Sequence, residues 1–179
     1  MIPGFIICWI TFPGVVVHEL AHALFCRWFG VEIYEVKFFQ FATGMGQPSG
    51  YVRHGVVTSP TKHILIAVGP FFVNTILGGL IGAPAAIPIL RFSHTDPVGM
   101  LLIWLGVSIA MHSFPSTGDA KSITWVLKQP TTPRLTKVWA TPIVWLIYLG
   151  AAASIVWADV IWGILVVAAI PTLLVLVLA

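Results

Sequence analysis

The chain has 179 residues, of which 58% are hydrophobic and only 8% are Asp, Glu, Lys or Arg. A soluble domain carries about 25% charged residues, so a surface facing mostly water is excluded, and no stretch is left over for a separate soluble domain. The net charge of +3 is too slight for nucleic-acid binding; the basic residues bear on orientation in a bilayer instead.

The first apolar stretch, within 1–29, begins at Ile2 and is interrupted by Pro13-Gly14, which predicts a kink or a second helical segment. It has no basic region ahead of it and is not read as a cleaved signal peptide. Its two thiols, Cys8 and Cys26, are ordinary helix packing with no disulfide framework. Gly30 suits a C-terminal cap. Residues 31–62 differ in character. Val31, Ile33, Val36 and Phe38 interleave with Glu32, Glu35 and Lys37, then Gly44, Gly46, Pro48 and Gly50 punctuate a turn, and Tyr51-Val52-Arg53 returns. This pattern predicts a β-hairpin or small sheet at the membrane edge.

Further apolar segments follow at 63–90, 98–119, 138–157 and 160–179, with polar stretches at 91–97 and 120–137. Asp159 marks a tight turn between the last two. Each of those has about the twenty residues that a span needs, although together they could form one re-entrant hairpin. The expected fold is therefore an all-α polytopic membrane protein of about five transmembrane helices, forming a single membrane-embedded domain over 1–179 with a small hairpin region. Five spans put Arg27, Lys37, Arg53, Lys62, Lys121, Lys128, Arg134 and Lys137 on one side and only Arg91 on the other. That bias makes the first side cytoplasmic and the N-terminus external. Trp9, Trp28, Trp139, Trp157 and Trp162 fall near predicted span ends, as interfacial aromatic residues do.

Chemistry concentrates in His18-Glu19-Leu20-Ala21-His22. Histidines at i and i+4 project from one helical face and can share a zinc ion. Glu19, between them, is placed to take a proton from water at the metal without being a ligand itself. With six histidines and three glutamates in the chain, roughly 0.003 such matches are expected by chance. Packing is a poor rival explanation, because three ionisable groups within five residues of a membrane helix are expensive.

A catalytic zinc takes a third protein ligand and keeps one position open. Glu32, Glu35, His54, His63, His94, Asp96, His112, Asp119 and Asp159 are available. The topology puts His94, Asp96 and Asp159 on the far side. Asp119 is favoured: it follows a Pro115–Gly118 break that can turn the chain inward, and its charge leaves zinc plus two imidazoles at net +1. Its rival role is to cap the helix from Ala120 onward. His112 could hydrogen-bond an oxyanion or hold a metal ligand from behind. Asn74 reads as cross-helix packing, and His54 and His63 read as solvated or headgroup residues.

These residues together resemble the site-2 protease family of intramembrane zinc metalloproteases. Val17 to Ala23 is similar to the family's active-site helix, and 30–53 to the hairpin region after it. Gly69-Pro70-Phe71-Phe72-Val73-Asn74 resembles its Gly-Pro-x-x-x-Asn segment, and Asp119 stands where the family has its aspartate ligand. The asparagine and the Asp-Gly glycine common in that last segment are replaced by His112 and Ala120, as in a minimal or divergent member. The resemblance implies zinc held by His18, His22 and Asp119, with Glu19 as general base. The implied activity is hydrolysis of peptide bonds in or near the transmembrane segment of a membrane-protein substrate, at a site toward the cytoplasmic side. The residues also admit an inactive metal-binding scaffold or adaptor. A metal transporter is disfavoured, because the last two segments are almost purely apolar.

Overall fold

Pro13 breaks the first apolar stretch into two helices, α1 (Gly4–Ile10) and α2 (Phe12–Trp28). Its ring removes an amide donor and crowds the preceding turn. The Thr11 hydroxyl bridges the gap by donating to the Ile7 carbonyl (2.7 Å). In the computed structural model, which describes residues 4–42 and 47–178, α2 buries Val15, Glu19, His22 and Cys26 along one stripe and turns Leu20 and Leu24 outward. Spacings of three and four residues put those four on one face. At the far end Gly30 has φ +69°, and the Val31 amide donates back to the Cys26 carbonyl (2.8 Å). This is the left-handed cap expected of that glycine.

Two antiparallel strands follow, β1 (Ile33–Lys37) and β2 (Tyr51–His54), paired Glu35 to Arg53, Val36 to Val52 and Lys37 to Tyr51, with an irregularity between Ile33 and Glu35. The sheet is the expected one, but the chain beyond it does not stay at its edge. Phe39 and Phe41 pack on Phe12 and Trp9, with ring centroids 5.8 and 5.6 Å apart. The connection therefore runs back along α2, past His18, to the α1–α2 break. Gly44 and Gly46, expected at its turn, lie outside the described residues.

The remaining helices are α3 (Pro60–Phe92), α4 (Pro97–Met111), α5 (Thr117–Lys128), α6 (Arg134–Ala153) and α7 (Ala158–Leu178). A 3₁₀ turn, Ser154–Val156, and Trp157 in left-handed backbone (φ 66°) join α6 to α7. Asp159 sits just past that turn and accepts from the Val160 amide (2.9 Å). Helix α3 is the hub, packed by α2, α4, α5 and α7. Its contact with α4 is backbone-close: a Cβ on Gly106 would lie 2.8 Å from the Gly78 carbonyl oxygen and 2.9 Å from Gly82 Cα. Small residues at i and i+4 let helices approach in this way where no hydrophobic effect drives them together.

Two segments, Pro60–Leu90 and Arg134–Val156, are long and apolar enough to cross a membrane. Large apolar side chains also stand exposed around the bundle, among them Leu80, Leu101, Trp145, Leu146, Leu149, Ile161 and Leu165. Exposed apolar side chains in such number mark a surface for contact with a membrane or with other proteins.

The third apolar segment differs most from its expected bounds. Fifteen residues of α4 reach only about 22 Å, and the helix stops at Met111. The chain then breaks through Ser113–Pro115 and restarts at Thr117 as α5. Asp119 is thus in the first turn of a separate helix, and the polar stretch 120–137 holds the rest of that helix, a turn and the start of α6.

Candidate metal centre

His18 and His22 direct their rings at one another, with Nε2 atoms 3.2 Å apart. Each ring is held from behind. His18 Nδ1 donates to the carbonyl of His112 (2.7 Å), and His22 Nδ1 donates to the carbonyl of Ile66 (2.9 Å). A carbonyl only accepts, so both protons sit on Nδ1 and both Nε2 atoms carry lone pairs. Two lone pairs at that distance cannot bond each other. The separation is close to the roughly 3.4 Å between two nitrogens that share a tetrahedral zinc at 2.0–2.1 Å. The backbone bonds are also the usual partners of metal-binding histidines.

Asp119 completes the group: its Oδ1 lies 3.5 Å from His22 Nε2, and one ligand atom from each of the three residues falls within 4.8 Å of the others. The capping role expected as its rival is present as well. Ser116 is the N-cap of α5, and its amide and hydroxyl both donate to Asp119 Oδ2 at 2.7 Å. The Asp119 amide returns a bond to Ser116 Oγ (3.2 Å). One carboxylate oxygen therefore fixes the helix start while the other faces the histidines. Two imidazole lone pairs and a carboxylate oxygen make a donor set that fits zinc.

Glu19 is buried (9% exposed) and lines the same cavity of about 250 Å³. Its neighbour Gly50 lets the hairpin strand lie directly on it: a Cβ there would come within 2.6 Å of Glu19 Cγ.

His112 does not line that cavity. The Thr11 hydroxyl spends its proton on Ile7, so His112 Nε2 donates to Thr11 Oγ1 (2.8 Å) and its ring is turned toward the α1–α2 break. Of its two expected roles, only the hold on a metal ligand from behind matches this placement, and the holding atom is its backbone oxygen. Asn74 is fully buried and donates to the carbonyls of Gly14 and Ile109 (3.1 Å each), tying the start of α2 to the end of α4 as packing predicts.

Two of the other candidate acids are engaged elsewhere. Glu35 accepts from Tyr51 (2.5 Å) and faces Arg53 (3.4 Å). Asp96 caps the opposite end of α4. His54 and His63, read from the sequence as solvated or headgroup residues, are half-buried and line the cavity together with the three ligand candidates and Glu19. A hairpin folding back over α2 would have been the signal for His54. His63 stands one helical turn before Ile66, whose carbonyl holds His22. No family model, curated protein or solved structure matches this chain.

Proposed function

We propose that the chain is a multi-pass membrane protein and an intramembrane zinc metalloprotease of the site-2 protease kind. The observation that carries this reading is the pair of Nε2 lone pairs facing each other beside Asp119 Oδ1, with Glu19 in the same cavity. The short α4 and the Ser113–Ser116 break supply the wet, protein-lined interior in which irregular backbone is tolerated at membrane depth. The exposed apolar belt and the eight-to-one division of basic residues support several spans, with the hairpin and α5 on the cytoplasmic side.

His18, His22 and Asp119 would hold the zinc. Zinc, when bound, supplies a Lewis acid that polarises the scissile carbonyl and acidifies water. The Glu19 carboxylate takes the proton of the attacking water and returns it to the departing amine nitrogen as the C–N bond breaks. The His112 and Ile66 carbonyls keep both imidazoles in the tautomer that presents Nε2. A substrate helix has its amides bonded internally, so it must unwind before a peptide bond reaches the cavity.

The test is Glu19→Gln. Purified protein should keep its zinc and lose cleavage of a transmembrane substrate. Zinc lost with the substitution, or cleavage retained without the carboxylate, contradicts the assignment. Zinc bound by wild type with no turnover of any transmembrane substrate would favour the scaffold reading.

A further inference from the structure

Four of the six histidines in the chain line one cavity, and the proposed centre uses only two. The other two, His54 at the end of β2 and His63 in the first turn of α3, have ring centroids 6.1 Å apart with planes at 68°. Both are half-buried. We propose that His54 and His63 form a second, weaker zinc site at the cytoplasmic mouth of the cavity, through which the ion passes to His18, His22 and Asp119. The proposal rests on the zinc reading of that centre.

The protons decide what these rings can do. His54 Nδ1 donates to the Gly55 carbonyl (2.8 Å), which leaves Nε2 with its lone pair. The Ser122 hydroxyl donates its one proton to the Asp119 carbonyl (2.9 Å). It can therefore only accept from His63 Nε2 (3.3 Å), which leaves His63 Nδ1 with its lone pair. Each ring thus has one N–H committed to an oxygen and one nitrogen free to ligate, the same pattern as in the proposed centre. What sets this pair apart is that both rings line the cavity that holds His18, His22 and Asp119.

Position supports the direction of transfer. His63 is three residues ahead of Ile66, about 4.5 Å at helical rise, on the side where α3 begins. An ion entering from the basic side meets His54 and His63 first. Two imidazoles completed by water are fewer protein ligands than a lasting zinc site has, so the ion is held briefly and handed inward. Ser122 links the two sites, accepting from His63 and donating to the backbone of Asp119.

The experiment is a zinc titration of the metal-free full-length protein in detergent, followed by stopped-flow filling of the tight site. Wild type should show one tight and one weaker equivalent. His54→Gln/His63→Gln should lose the weaker equivalent, keep the tight one and fill it several-fold more slowly; retention of the tight site shows that the variant is folded. His18→Ala/His22→Ala should lose the tight equivalent and keep the weaker one. A weaker equivalent that survives His54→Gln/His63→Gln, or tight-site filling at the wild-type rate in that variant, overturns the proposal. Absence of the tight equivalent from wild type contradicts the zinc reading of the centre instead, and the weaker equivalent is still read by its response to the His54 and His63 substitutions.

Discussion

Asp119 places one oxygen on the Ser116 cap and the other toward the histidines, and the cap and the proposed ligand role can be separated. Asp119→Asn keeps an oxygen able to accept from Ser116, so α5 should stay capped while zinc affinity falls steeply. Asp119→Ala should lose zinc and, in addition, about 1 kcal/mol of cap stability. Thermal unfolding and metal content of the two variants check this; equal zinc in Asp119→Asn and wild type would leave Asp119 as a cap alone. His112 supports a second distinction. Removing an oxyanion donor typically costs about 100- to 1000-fold in turnover. Because His112 acts through its backbone oxygen and its ring serves Thr11, His112→Ala should keep zinc and lose less than about tenfold, well short of an oxyanion donor's share. A loss of the larger size with zinc retained would restore the oxyanion role. The sequence offered His112 as an oxyanion donor or as a hold on a metal ligand from behind, but no letter reports that its backbone carbonyl, and not its ring, turns toward His18.

At the scale of elements, the hairpin and the α3–α4 contact are both held by glycine. Gly50→Val would push the strand off Glu19, and the side chain of that carboxylate, not the metal, should suffer: zinc stays and cleavage falls. Cleavage at the wild-type rate in Gly50→Val would mean that the hairpin is not seated on Glu19 during the reaction. Gly106→Leu should cost about 1–3 kcal/mol of stability as overpacking, read as a lower unfolding temperature in detergent. The helical segments, the cap at Gly30 and the paired strands were legible because each has a local signal: period, turn glycine or alternation. The end of α4 was legible in part: the apolar run gives way at His112-Ser113 ahead of the Pro115 break, and the docking of Ser113, buried and donating to Ala110, shows how the helix is stopped there. The pairing of Gly78 and Gly82 with Gly106 had no counterpart in the sequence reading, because spacing on one helix does not name the helix that packs on it.

For the whole molecule, the HExxH spacing alone carried most of the site, because an i, i+4 pair is a local fact about a helix. Asp119 needed the topology as well, and His54 and His63 needed the fold itself: 32 and 41 residues after His22 in the numbering, they reach the same cavity because the hairpin packs on α2 and α3 packs beside it. Orientation is testable through exposed positions on the basic side. In a chain freed of Cys8 and Cys26, Val56→Cys and Thr131→Cys should resist an impermeant thiol reagent added outside intact cells and react after the membrane is opened. Labelling of both from outside would invert the topology. The most direct measurement is metal content, with zinc X-ray absorption, of the purified full-length protein after removal of loosely held metal. The account predicts one zinc per chain with two imidazole nitrogens and a carboxylate oxygen in its shell, lost in His18→Ala, His22→Ala and Asp119→Asn. A protein that holds no tight zinc, or holds it undiminished in those three variants, contradicts it.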